Sequence, residues 1–200
     1  MSVLYIHSHS GPPPAKYESA VAQRRLVIRR ERDLQSADFV AARGLLTTTH
    51  LDQLGAMERL EDLAGHMNRG GRWFFNGHIM RPLLPGLRSY VPLGNPRRSD
   101  LVMTRLNPHP IFADIDQKDL EENKGVAGFY GRGHNPPPPG ALAINGLGPR
   151  QVPIDWEWAT PLGGHFFSHA GNDLGGMGGD AGHAGLLSER ILAWLEGDLP

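Results

Sequence analysis

The chain has 200 residues, a formal net charge of −1, 40% apolar residues and no cysteine. That length suits one core, since single cores grow to roughly 250 residues before chains divide, and one domain is expected over 1–200. The charge balance excludes a broad attraction to nucleic acid or to an anionic membrane surface, and the missing thiols exclude disulfides, thiolate metal sites and cysteine nucleophiles.

No apolar run approaches the ~20 residues that cross a bilayer, and Met1–His7 lacks the basic start and long apolar stretch of a secretory leader. A cytoplasmic protein is the expectation. The 26 glycines and 17 prolines imply many turns around a modest core, and the ten histidines matter if they converge.

In chain order, Val3-Leu4-Tyr5-Ile6 predicts a buried strand over Ser2–Ile6. His7-Ser8-His9-Ser10-Gly11 ends it, and three prolines then forbid regular structure. Ala15–Ala22 suggests a short helix, Arg25–Arg29 a strand, and Asp38–Leu46 a further strand. A helix is expected next, because Thr48 or Thr49 offers an N-cap and Leu51, Leu54, Met57, Leu60 and Leu63 recur at helical spacing. Gly70-Gly71 stops that helix, and Arg72–Asn76 resumes as an aromatic strand. Strand, amphipathic helix, Gly-Gly, strand describes a βαβ unit and hence a parallel sheet.

Pro82–Pro110 is loop-rich, with a strand expected at Leu101–Leu106. Gly125–Gly133 and the tetraproline Pro136–Pro139 read as surface connections. Ala141–Asn145, Val152–Trp158 and His165–His169 are extended candidates, the last two joined by a hairpin-like turn at Ala159–Gly164. A glycine loop at Gly175–Gly182 precedes a closing helix through Leu186, Ile191 and Leu195 that ends near Gly197. The fold class expected is α/β, three layers around an open, mostly parallel sheet.

Three stretches, taken in order, resemble a known family: Ser36–His78, with its Gly-Gly, strand and Gly-His; His109-Pro110-Ile111; and Val152–Leu195, with Pro153–Trp156, Gly171-Asn172-Asp173-Leu174 and a final apolar helix. The chain resembles the ThuA-like proteins, named for trehalose utilisation, which share the flavodoxin-like fold of class I glutamine amidotransferases. The resemblance implies a small-molecule enzyme or binding protein whose ligand is a sugar or another polyhydroxylated metabolite. Family members carry Gly-His-Asp where this chain has Gly171-Asn172-Asp173, and the neighbouring His169 is the stand-in for that histidine. In amidotransferase-like folds the turn after the strand equivalent to 72–76 presents a cysteine above a helix start. Here that turn reads Asn76-Gly77-His78-Ile79-Met80, and an imidazole serves as base, nucleophile or ligand but not for thiolate acyl transfer.

Ligands of open α/β sheets bind in the crevice outside the carboxyl ends of the strands. His7, His9, His50 and His78 all follow strands and face that crevice, whereas His66 belongs to a helix end. The catalytic candidates are His78, His169 and Asp173; the ligand-binding candidates are His7, His9, His50 and Asn172. Asp173 either orients a histidine or accepts hydroxyl bonds, and the competing reading is a turn made by Asn172-Asp173. His165, Phe167 and His169 share one strand face.

His109, between two prolines, reads as a structural corner, and Trp156 and Trp158 read as core rather than as a sugar-stacking wall with Phe129 and Tyr130. His134 is either part of a flap or a solvated loop, and His183 lies at the start of the last helix. No Gly-x-Gly-x-x-Gly, Walker or Gly-x-Ser-x-Gly motif is present. The sequence names no cofactor and no recognised metal signature. Two other readings stay open: a non-catalytic amidotransferase-like module in a larger assembly, and a metal-dependent hydrolase using His7, His9 and His78 with Asp52 or Asp173. The expected partner is a small molecule, with a homo-oligomer also compatible.

Overall fold

Strands that are apolar on both faces must be covered on both faces, and that requirement organises this molecule. The computed structural model describes residues 2–11, 15–121, 132–175 and 186–199. Its strands are β1 Ser2–His7, β2 Leu26–Arg30, β3 Ala42–Thr47, β4 Arg72–Asn76, β5 Val91–Pro92, β6 Met103–Arg105, β7 Gly133–His134, β8 Leu142–Leu147, β9 Val152–Ala159 and β10 His165–His169. Its helices are α1 Glu18–Ala22, α2 Ser36–Ala41, α3 Gln53–Met57, α4 Leu60–Asn68, α5 Gln117–Glu121 and α6 Leu187–Glu196.

Eight strands form one sheet in the order β2-β1-β3-β4-β10-β9-β8-β6, and β5 pairs with β7 apart from it. The first five are mutually parallel, and β9, β8 and β6 extend the sheet antiparallel. Alternation along each strand divides the core. Val3, Tyr5, Phe74 and Phe167 face Tyr17, Ile191, Trp194 and Leu195 on one side. Leu4, Ile6, Trp73, Phe75 and Phe166 face Phe39, Leu63 and Met67 on the other. The result is a three-layer α/β fold.

Two local expectations are corrected. Asp38–Leu46 is not one strand: α2 occupies 36–41 and β3 starts at Ala42. Asp38 accepts the Gln35 backbone N–H at 2.9 Å, which closes a helical first turn, and Phe39 is buried while Val40 stands exposed. The next helix is capped by Asp52, not Thr48 or Thr49: its carboxylate accepts Leu54 N–H at 2.9 Å and Gly55 N–H at 3.2 Å. That helix breaks at Glu58-Arg59 into α3 and α4.

The tetraproline segment is also more than a surface connection, since Asn135, Pro136 and Pro138 are buried. The βαβ unit is as expected, β3 and β4 lying parallel. The hairpin β9–β10 and the αL glycine stop at Gly197 (φ 78°) likewise agree with the sequence. Most of Gly125–Gly133 and of Gly175–Gly182 lies outside the described residues.

The chain leaves β1 toward β2 on one side and resumes on the other side at β3. That reversal opens a crevice at the carboxyl ends of β1 and β3. The carboxyl ends of β4 and β10 lie along the same edge, with His169 in register with Asn76.

Candidate functional site

The edge is built from the residues that end four parallel strands. After β4, Gly77 turns with φ +101°, a conformation that L side chains rarely adopt, and its N–H donates to His169 O at 2.9 Å. Asn135, wholly buried, holds the turn from the other side. Its Oδ1 accepts Ile79 N–H at 2.9 Å, and its Nδ2 reaches Gly77 O and Ser168 Oγ, both at 2.9 Å. Gln53 adds a second clamp, donating to His78 O at 2.7 Å and accepting Met80 and Arg81 N–H at 2.8 and 3.0 Å. The backbone at His78 is therefore fixed by side chains from distant parts of the chain.

The His78 ring stacks on Tyr90, centroids 3.6 Å apart and planes 13° from parallel. Burial pushes its pKa below the ordinary histidine value, and the charge of His169 acts in the same direction. The expected nucleophile elbow is absent: residues 78–80 continue as irregular chain, without the helix start of an amidotransferase elbow. His78 accordingly has no helix N-terminus beneath it to stabilise an anion.

His169, at the end of β10, is fully buried, and its Nδ1 lies 2.7 Å from Asp155 Oδ1 on β9. Asp155 is also fully buried, and its other oxygen accepts Asn145 Nδ2 at 2.5 Å. A carboxylate facing Nδ1 puts the ring hydrogen there and leaves the lone pair of the neutral ring on Nε2. The orienting carboxylate is Asp155, which sequence reasoning missed, and not Asp173. The hairpin register makes the pairing: a turn closed by Thr160 and Gly164 sets β9 against β10 so that Asp155 opposes His169, and Glu157 opposes Phe167 with His165 on the diagonal.

Asp173 has another task. Its Oδ1 accepts Thr49 N–H at 2.6 Å and lies 2.9 Å from Thr49 Oγ1, joining the loop after β10 to the loop after β3. Burial raises its pKa, and hydrogen bonds from Thr49 with the charges of His50 and His169 offset only part of that rise. Asn76 reinforces the same join through Thr47 O at 2.9 Å and Leu174 N at 2.9 Å. Asn172 is exposed at the rim.

His7, His9 and His50 form a second group at the β1/β3 switch. Ring centroids are 4.2 Å apart for His7–His9 and 6.4 Å for His9–His50. His7 is buried, His9 half-buried and His50 exposed. Of the predicted residues, then, His78 and His169 lie within electrostatic reach of one another, His7, His9 and His50 cluster separately, and Asp173 is in electrostatic reach of His50 and His169.

The remaining histidines serve elsewhere. His109 accepts Ile111 N–H on Nδ1 at 3.3 Å and faces Glu157 through Nε2 at 2.9 Å, the structural corner expected. It borders a cavity of about 760 Å³ lined by Arg105, Phe112, Ile115 and Gln117, which is apart from the buried acid–base pair. His66 approaches Arg72 O at 3.4 Å, His165 binds Glu157 at 2.8 Å, and His134 sits in β7. Trp156 and Trp158 are core. His183, Phe129 and Tyr130 lie outside the described residues. Among the described residues no three His, Asp or Glu side chains are arranged to hold a metal ion, so the set of His7, His9 and His78 with Asp52 or Asp173 does not assemble as ligands. Among those residues, too, no helix is long and apolar enough to cross a membrane.

No protein-family model matches the sequence, and no curated protein matches it. In three dimensions the chain is similar to a crystal structure from Thermoplasma acidophilum, described provisionally as one subunit of a GMP synthase. The TM-score is 0.60 at 9% identity, over 99% of this chain and 95% of that one. At that identity the likeness is one of fold alone.

Proposed function

We propose that this protein is a small-molecule enzyme of ThuA-like type that uses histidine acid–base chemistry at the carboxyl edge of its sheet, on a sugar or related polyhydroxylated ligand. The observation that carries this reading is the buried His169–Asp155 pair beside His78. A carboxylate that fixes the tautomer of one imidazole, with a second imidazole held neutral by burial, is a way of presenting a base and an acid at neutral pH. His78 favours its neutral form, so it starts uncharged in the crevice, able to donate a hydrogen bond or to become an imidazolium on accepting a proton. Thiol-dependent glutamine hydrolysis is not available to a chain without cysteine. The sugar class rests on the family resemblance alone.

The test is a panel of sugars, sugar acids and polyols screened by calorimetry, followed by product analysis for any binder. The expected result is turnover of one class, lowered by about 10²–10⁴ in His169→Gln, the usual contribution of a positioned acid or base. Undiminished turnover in that variant sinks the mechanism.

A second reading has its own support: the turn at Gly77 lacks both the cysteine and the following helix, and the structural neighbour is described as one subunit of an enzyme. In that case the chain is a non-catalytic amidotransferase-like module. No panel member binds, and the protein instead co-purifies in a stoichiometric complex that His169→Gln leaves intact.

A further inference from the structure

The histidine group at the β1/β3 switch takes no part in the His169 chemistry and has its own geometry. His7 ends β1 and is in register with Arg30 at the end of the parallel neighbour β2, so both side chains leave the sheet on the same face. Arg30 reaches across to Ser10 O at 3.4 Å, in the loop that carries His9, and makes no ion pair among the described residues. His9 lies against His7, and His50 comes in edge-on from the loop after β3. Four groups able to be cationic thus converge from three segments.

Two polar atoms have no hydrogen-bond partner despite their burial, His7 Nδ1 in this group and Oη of the adjacent Tyr5. Their residues are only 4% and 2% exposed, and their rings lie 5.9 Å apart. A buried polar atom without a partner costs about 1–3 kcal/mol, so two neighbouring ones are polar capacity that a ligand would satisfy. Tyr5 keeps its proton strongly, through burial and the nearby Asp173, so its hydroxyl is a donor. Burial depresses the pKa of His7, and the charges of His9 and Arg30 add to that, while the His9 backbone offsets it in part.

We propose that His7, His9, His50, Arg30 and the Tyr5 hydroxyl form an oxyanion subsite, taking the phosphate or carboxylate group of the ligand that occupies the crevice. The proposal rests on the crevice being the ligand site, and it adds an acidic substituent to the ligand class. An oxyanion would give Nδ1 of His7 an acceptor when that ring is protonated and would accept from Tyr5. Asp173 is the opposing charge. It is held toward Thr49 by two hydrogen bonds on Oδ1. Tyr17, whose ring is 5.5 Å from Tyr5, completes the polar surround and stays protonated.

The experiment is a titration of the full chain with inorganic phosphate, and separately with acetate, followed by NMR of the histidine rings. Phosphate should give saturable shifts of the His7 and His9 ring signals, whose rings lie 4.2 Å apart. His7→Gln and the loop variant His9→Gln/His50→Gln should each weaken binding by about tenfold or more, since each removes a charge-assisted donor. Acetate binding as well as phosphate binding identifies a general oxyanion site, and phosphate binding alone identifies a phosphoryl site. His169→Gln should bind phosphate as the wild type does, so loss of turnover there says nothing against the subsite. The proposal is overturned if phosphate gives no saturable shift, or if the loop variant binds it with unchanged affinity.

Discussion

A single atom pair, His169 Nδ1 to Asp155 Oδ1 at 2.7 Å, decides which nitrogen of the imidazole is basic. Asp155→Asn tests this directly. An amide in that place cannot accept from both the His169 ring and the Asn145 side chain, which now donates to Asp155 Oδ2. The expected outcome is a change in the His169 tautomer, read from ring nitrogen shifts, with a loss of about 1–3 kcal/mol in denaturant unfolding. An unchanged tautomer would show that Asp155 does not orient the ring. The histidine itself was legible in the sequence, as the end of an alternating strand. Its carboxylate was hidden because Asp155 looks like an ordinary polar position in an aromatic strand until the hairpin register pairs the two.

Elements position these atoms by close approach. At Gly44 in β3 an added Cβ would lie 2.6 Å from the Leu195 carbonyl and 2.9 Å from Leu195 Cβ, so α6 packs against bare backbone there. Gly44→Ala should therefore cost about 1–3 kcal/mol, the range for overpacking, measured as a lower denaturant midpoint with an unchanged slope. At Gly77 the obstacle is different: φ is +101° and a Cβ would meet Thr49 Cα at 3.0 Å. Gly77→Ala should cost about 1–3 kcal/mol in backbone strain and release the His78 ring from Tyr90, seen as an altered His78 ring shift. The sequence marks Gly77-His78 as a turn after a strand. It does not reveal Asn135 and Gln53 as its clamps, because those contacts span 58 and 25 positions.

Across the whole molecule, burial of histidine links stability to pH. His7, His66, His78 and His134 all have pKa values lowered from 6.5, each with burial as the first cause. In such a group the unfolded chain binds the proton more readily than the folded one. Stability is therefore highest with the rings neutral and falls as pH drops below the unfolded value of 6.5. Glu157 acts in the same direction further down. Burial, its largest single influence, raises its pKa, but bonds to His109 and His165 together outweigh it and leave the value below 4.5, so its contribution is lost as pH falls through that lowered value. Asp173 and Glu31, both raised, oppose the trend by favouring the protonated folded form. Melting temperature should decline from pH 7.5 toward pH 5, and His66→Gln should flatten that decline. A flat profile in the wild type would contradict the burial of these rings.

What the sequence determined by itself was what depends on near neighbours: absence of thiol chemistry, the βαβ period around 42–76, the β9–β10 hairpin, the glycine stop of α6 and the placing of histidines after strands. Short-range periodicity and turn chemistry suffice for those. Tertiary structure alone decided that α2 precedes β3, that Asp155 and not Asp173 orients His169, that no helix follows His78, and that His7 meets Arg30. Those depend on capping, packing and pairing, where a side chain's partner is set by the folded geometry and strand register rather than by residue type and periodicity.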